Sequence, residues 1–158
     1  QVQWLEAELK KAREAPLVIW VNTVPWITKA YESTAEGWAP YSEERTRLAD
    51  HIESLGLTSR VIMLSGDAHM AAIDDGTNSN YVEGTAPSTR GFVVIQAAPF
   101  SRFTRAKGGP YSHGRSIRNH QFGWVEVKDT GGAITVELTA RNQAGLVIPG
   151  LHLTVKPT

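Results

Sequence analysis

Val2, Leu5, Leu9 and Ala12 recur at helical spacing, while Glu6, Glu8, Lys10, Lys11 and Arg13 take the opposite side. That pattern predicts an amphipathic helix stopped by Pro16. Leu17-Val18-Ile19-Trp20-Val21 follows as an unbroken apolar run of strand length, which reads as a strand buried on both faces. It gives way to Asn22-Thr23-Val24-Pro25-Trp26. Residues 27–41 show no clear period and carry Tyr31, Trp38 and Tyr41 as aromatic anchors of a loop. Ser42 predicts the cap of a second helix, with Glu43 and Glu44 in its first turn, where the helix dipole favours anions. Leu48, Ile52 and Leu55 form its buried stripe, and Gly56 its C-terminal stop. A second buried strand, Arg60–Ser65, runs into Gly66-Asp67-Ala68-His69.

Helix, strand, helix, strand predicts α/β layering with a largely parallel arrangement. The second half changes character. Gly91–Ala98 is an apolar strand, and residues 99–119 form a polar loop punctuated by Gly and Pro and bearing Arg and Lys. Phe122–Val127, Ala133–Thr139 and Leu151–Val155 read as short strands, the first two joined by Asp129-Thr130-Gly131-Gly132. Their alternation predicts an antiparallel meander with one wet face. No repeat, low-complexity linker or domain boundary interrupts residues 1–158, which read as a single domain or part of one.

Composition narrows the classes of function. The chain has 158 residues, enough for a real core, and its 16 Lys+Arg balance its 16 Asp+Glu. A broad nucleic-acid-binding surface would show a basic excess. Cysteine is absent, which excludes disulfides, thiolate zinc sites and a cysteine nucleophile. The longest apolar run, Leu17–Val21, is far too short to span a bilayer. The chain opens on a helical pattern, without an initiator Met or a signal-peptide pattern, so we expect a piece of something longer.

The strongest candidate chemistry is Gly66-Asp67-Ala68-His69. In open α/β sheets, ligands bind beyond the carboxyl ends of strands. If the segment is extended, Asp67 and His69 leave on one side, and a carboxylate with an imidazole suits a transition ion. Gly66 allows close backbone approach to a ligand. A turn aspartate with a satisfied histidine is an equal reading at this point. Asn22 and Thr23 follow the other buried strand and would share its rim, as neutral oxygen donors or as a plain strand-terminating turn. Asp74-Asp75-Gly76-Thr77-Asn78-Ser79-Asn80 is oxygen-rich but misses the EF-hand spacing, so it reads as a solvated turn. Arg102, Arg105 and Lys107 could meet a phosphoryl oxygen or simply decorate a solvated loop. His51 and His152 read as structural, and His113 and His120 as weaker candidates. No Gly-x-Ser-x-Gly, P-loop or Gly-x-Gly-x-x-Gly motif is present.

Trp38-Ala39-Pro40-Tyr41-Ser42-Glu43-Glu44-Arg45, the helix after it, and Val61-Ile62-Met63-Leu64-Ser65-Gly66-Asp67-Ala68-His69-Met70 together resemble the alkaline phosphatase D (PhoD-like) family of the calcineurin-like metallophosphoesterases. Gln3-Trp4-Leu5 and Gln121-Phe122-Gly123-Trp124-Val125-Glu126-Val127 look like further family segments. The resemblance implies an αββα sandwich of which this chain is the C-terminal half. It implies hydrolysis of phosphate esters by a metal-activated water, with iron, or calcium, manganese or zinc as alternatives. It makes His69 a metal ligand and catalytic residue, and gives Asp67 the same roles at a position where the wider superfamily has His. Thr23 stands where related purple acid phosphatases have a ligand His. Substrate contacts fall to Trp38, Tyr41 and Arg105.

The family's upstream metal motifs do not occur before residue 66. The implied partners are therefore a phosphate-ester substrate and the N-terminal half of the same enzyme, with self-association through uncovered edges; neither a nucleic acid nor a membrane is among them. The resemblance also suggests export in bacteria, to the periplasm or beyond, and allows cytoplasmic members. Two other readings stay open: a non-catalytic binding or interaction domain, and an unrelated hydrolase using Asp67 and His69 as an acid–base pair.

Overall fold

The computed structural model describes residues 1–28, 37–86, 88–97, 100 and 106–158. Tyr31, Arg102 and Arg105 lie outside the described residues. Helix α1 is Val2–Lys11 and α2 is Ser42–Ser54. Eight strands follow the order β1 Val18–Asn22, β2 Val61–Ser65, β3 Ala71–Asp74, β4 Val93–Gln96, β5 Arg115–Ser116, β6 Gln121–Asp129, β7 Ile134–Asn142 and β8 Val147–Val155. One sheet has the order β1-β2-β4-β3-β5, and the other is the meander β6-β7-β8. β1, β2 and β4 are parallel, with Val18 opposite Val61 and Ile62 opposite Val93. β3 enters antiparallel between β4 and β5.

Successive side chains on a strand face opposite ways, and the central strands use both directions. Val61 and Met63 of β2 and Val94 of β4 pack with Leu9 of α1 and Leu48, Ala49 and Ile52 of α2. Ile62, Ala71, Ile73 and Ile95 point the other way, onto Val136, Leu138, Ala140 and Leu151 of the second sheet. Fully burying an Ile or Leu contributes about 1.5–3 kcal/mol, so this two-sided packing makes β2 and β4 the rigid centre. Among the described residues both helices lie on one face of the five-stranded sheet and the meander on the other. Among the described residues no helix covers the far side of the meander, so the expected four-layer order is described for three layers.

Three local expectations need correction. β1 is the outermost strand, and only one of its faces is covered: Ile19 is 42% and Val21 74% exposed. An apolar run records composition, not which neighbours cover it. Ser42 does not cap α2. A 3-10 turn, Ala39–Tyr41, leads straight into the helix, so Tyr41 takes the cap position and no side chain caps the end. Residues 99–119 read as a loop throughout, yet Arg115–Ser116 within them form β5 against β3. At the other end of α2, Gly56 adopts φ +66°. Its N–H donates to the Glu53 carbonyl at 2.8 Å and that of Leu57 to Ile52 at 3.1 Å, the paired bonds of a glycine-terminated helix.

α1 is fastened to α2 by polar contacts at its exposed side. Arg47 donates two hydrogen bonds to Glu6, at 2.6 and 2.7 Å, and His51 Nε2 lies 3.0 Å from the Glu6 carbonyl. The Arg47 guanidinium holds the Glu6 carboxyl below its ordinary pKa. No helix among the described residues is long and apolar enough to cross a membrane.

Candidate functional site

Parallel pairing brings the carboxyl ends of β1, β2 and β4 to one rim. Asn22 is opposite Ser65, and Ser65 opposite Gln96. The three loops leaving that rim are tied together. Ser65 Oγ donates to the Val24 carbonyl at 2.7 Å, and the Ala97 N–H to the Ser65 carbonyl at 2.7 Å. The amide of Gln96, fully buried, donates to the Gly66 carbonyl. Loops at such a rim are where α/β sheets bind ligands.

Asp67 and His69 stand on this rim, but not on an extended segment. Both have left-handed backbones, with φ +61° and +55°, on either side of the fully buried Ala68. The two side chains still converge: His69 Nε2 lies 4.0 Å from Asp67 Oδ1. Non-glycine residues in this conformation are uncommon and gather at functional sites. Left-handed backbone costs roughly 1–2 kcal/mol at a residue bearing a Cβ. We therefore expect Asp67→Gly and His69→Gly each to be about 1 kcal/mol more stable than the matching alanine variant. At an unstrained helical or strand position the order is reversed by about 0.5–1 kcal/mol. Urea unfolding of the four variants checks this; alanine variants as stable as the glycine ones would remove the strain.

The separation bears on two chemistries. At 4.0 Å the pair is too far apart for the hydrogen bond by which a carboxylate orients a catalytic histidine. A carboxylate oxygen and an imidazole nitrogen each bind a transition ion at about 2.0–2.2 Å, so two donors on one ion lie roughly 3–3.5 Å apart when adjacent and up to ~4.2 Å apart when opposite. At 4.0 Å the pair reaches one ion only from nearly opposite sides, or as adjacent donors after closing by less than ~1 Å. Among the described residues no group of three or more His, Cys, Asp or Glu side chains could hold an ion, and a catalytic ion takes about three protein ligands.

The remaining candidates divide. Thr23 is exposed on the rim, its carbonyl 3.5 Å from where a Cβ on Gly66 would sit. That is an ordinary contact, so packing does not require the glycine at 66. Asn22 turns its side-chain N–H inward, donating to the Val24 carbonyl at 2.5 Å. Trp38 is part of an aromatic cluster, with ring centroids 6.2 Å from Trp20 and 5.2 Å from Trp26. That placement gives Trp38 a packing role, and the ring is half-buried. Tyr41 is 62% exposed beside the start of α2.

Arg45, the fourth residue after Tyr41, is the part of that segment that shapes the rim. It is buried and donates to the carbonyls of Trp26 and Thr28 at 3.0 and 3.1 Å. Its guanidinium lies 3.6 Å over the Tyr81 ring. Burial lowers its pKa, yet a guanidinium stays charged at neutral pH. The sequence flags Arg45 only as the last residue of the Trp38–Arg45 segment that carries the family resemblance, with no role of its own.

The oxygen-rich turn is anchored inside the protein at Asp74 and Ser79, with Thr77 exposed at its tip. Asp74 is fully buried and accepts from the N–H groups of Gly76, Asn78 and Ser112 and the Asn78 side chain, at 2.7–3.0 Å. Burial would raise the pKa of neighbouring Asp75, but hydrogen bonds from Thr77, Ser112 and Arg90 outweigh it and lower the value to about 2. His113 hangs its N–H on the Ile73 carbonyl at 3.0 Å. His120 is exposed and is the third non-glycine residue with positive φ, +56°.

Lys107 is the rim residue that sequence reasoning underrated. Its side chain is one-tenth exposed, with Nζ 3.2 Å from Asp67 Oδ2, and its N–H donates to the Ala68 carbonyl at 2.9 Å. The one signal was its neighbour Gly108-Gly109-Pro110. Gly108 has φ +85°, and a Cβ there would lie 2.5 Å from the Ile27 carbonyl, so only glycine fits where this loop crosses the rim.

A family model described as PhoD-like phosphatase matches residues 1–144. No curated protein matches the chain. A solved structure described as "Structure of PhoD" aligns with 99% of the chain at 15% identity and a TM-score of 0.50. At that identity the likeness speaks to the fold. The chain spans about a third of that structure's chain, 34%.

Proposed function

The chain belongs to the PhoD-like phosphatase family, and we propose that it is the C-terminal part of a metal-dependent phosphoesterase, acting on phosphate esters in the complete protein. Asp67 and His69 are two of its metal ligands. The observation that carries this reading is their convergence at 4.0 Å on two left-handed residues, at the carboxyl ends of parallel strands. Such an ion, when bound, lowers the pKa of a water and polarises a phosphoryl oxygen. Iron, calcium, manganese and zinc are the candidates by donor type, with the oxygen donors of Asp67 and Thr23 suiting the harder ones.

The further ligands belong to the N-terminal half of the same enzyme. The exposed Ile19, Val21 and Trp4, beside an edge of β1 that no described strand pairs, support a covering chain segment on this side. In the αββα arrangement the second outer helix layer would come from that half too.

The test is p-nitrophenyl phosphate and bis-p-nitrophenyl phosphate turnover by the complete protein, with metal content measured by mass spectrometry. Chelation should abolish turnover, and one of iron, manganese, calcium or zinc should restore it. Undiminished turnover in metal-free protein would overturn the reading.

A further inference from the structure

We propose that Lys107 is a positioning residue for the Asp67–His69 pair, an inference that rests on reading that pair as metal ligands. The carboxylate of Asp67 has two oxygens with different neighbours. Oδ2 is 3.2 Å from the Lys107 ammonium, while Oδ1 is the oxygen nearest His69 Nε2. A lysine on a long flexible stem usually extends into water. This one is one-tenth exposed and folded onto the rim. Fixing Oδ2 restrains rotation of the carboxylate and leaves Oδ1 turned toward the imidazole.

The same residue grips the turn through its main chain. Its N–H donates to the carbonyl of Ala68, the residue between the two left-handed ones. The next two residues anchor the loop on the other side of the rim. Gly109 donates to the Ile27 carbonyl at 2.8 Å, and Gly108 leaves no room for a side chain against that same carbonyl. The loop after β4 therefore clamps the loops after β1 and β2 together, with Lys107 at the point of contact. Partners that orient ligands in this way typically govern metal affinity by 10–100-fold.

The test uses the complete protein and Mn²⁺, titrated by loss of the free-ion EPR signal. Lys107→Met should weaken Mn²⁺ binding about 10–100-fold, and Lys107→Arg, which keeps the charge, by less. Lys107→Gln is a second neutral variant, read in the same way. Because the role runs through Asp67, Lys107→Met placed on Asp67→Ala should add less than about threefold. Unchanged or tighter Mn²⁺ binding in both neutral variants would overturn the role, as would an equal loss with and without Asp67. His69→Ala reports separately. If it leaves Mn²⁺ affinity unchanged, the ligand reading itself fails. If it weakens binding while both neutral Lys107 variants do not, only the role of Lys107 fails.

Discussion

In the complete protein, His69→Ala should lower kcat/KM for p-nitrophenyl phosphate by at least ~100-fold, with a parallel loss of bound metal. Losing a residue that only orients a ligand costs 10–100-fold, and losing the ligand itself costs more, because activated water and Lewis acid go together. A hundredfold corresponds to about 2.7 kcal/mol of barrier. The chain supplies its own controls. His51 touches the Glu6 carbonyl and joins two helices. His152 lies exposed on the meander, 3.3 Å from Glu137. Alanine at either should keep turnover within about threefold, since each loses one exposed or half-buried polar contact worth roughly 1 kcal/mol of stability. A His69→Ala enzyme that retains both metal and a third of its activity would refute the assignment.

The largest effect on stability is expected at Asp74, which the site does not use. Asp74→Ala strands three backbone N–H groups, of Gly76, Asn78 and Ser112, together with the Asn78 amide. Each unsatisfied buried group costs about 1–3 kcal/mol, and partial resolvation of the turn offsets some of this. The expected loss is about 3–5 kcal/mol, at the severe end for single substitutions. Asp74→Asn should cost nearly as much. Oδ1 can still accept from Gly76 and Asn78, but an NH₂ group at the Oδ2 position faces two donors, Ser112 N–H and Asn78 Nδ2. Urea unfolding of the complete protein reads both variants. An alanine variant within 1 kcal/mol of wild type would show that the turn is not held by this carboxylate.

What the sequence reveals, and what it hides, follows from how local each signal is. The helices and the meander are legible because their periodicities are written in consecutive residues. The glycine stop of α2 is equally local. β3 escapes because Ala71-Ala72-Ile73-Asp74 has little strand propensity of its own; it is a strand because β4 and β5 flank it. β5 is two residues long and has no pattern to show. The rim could be read, since two apolar strands each end in a polar turn. The local shape of the turn could not. A two-residue spacing suggests an extended segment, whereas the observed convergence depends on positive φ at Asp67 and His69. Lys107 could be named as a cation in the long loop, but its partner could not: the contact with Asp67 spans 40 residues, and only folding brings them together.

The left-handed pair also filters the residue types that can occupy positions 67 and 69. Few side chains tolerate such a backbone; glycine does so freely, and asparagine, aspartate and histidine are several-fold enriched there. Apart from glycine, that short alphabet is nearly the list of oxygen and nitrogen donors that bind hard and borderline cations. Random variation at these two sites, screened for folding alone, would therefore return donor residues far more often than at an ordinary surface turn. With Asp67 and His69 as the proposed metal ligands, the backbone of this loop would narrow the search for such a site before any ion is bound, and an exchange between aspartate, asparagine and histidine would retune ion preference without rebuilding the loop.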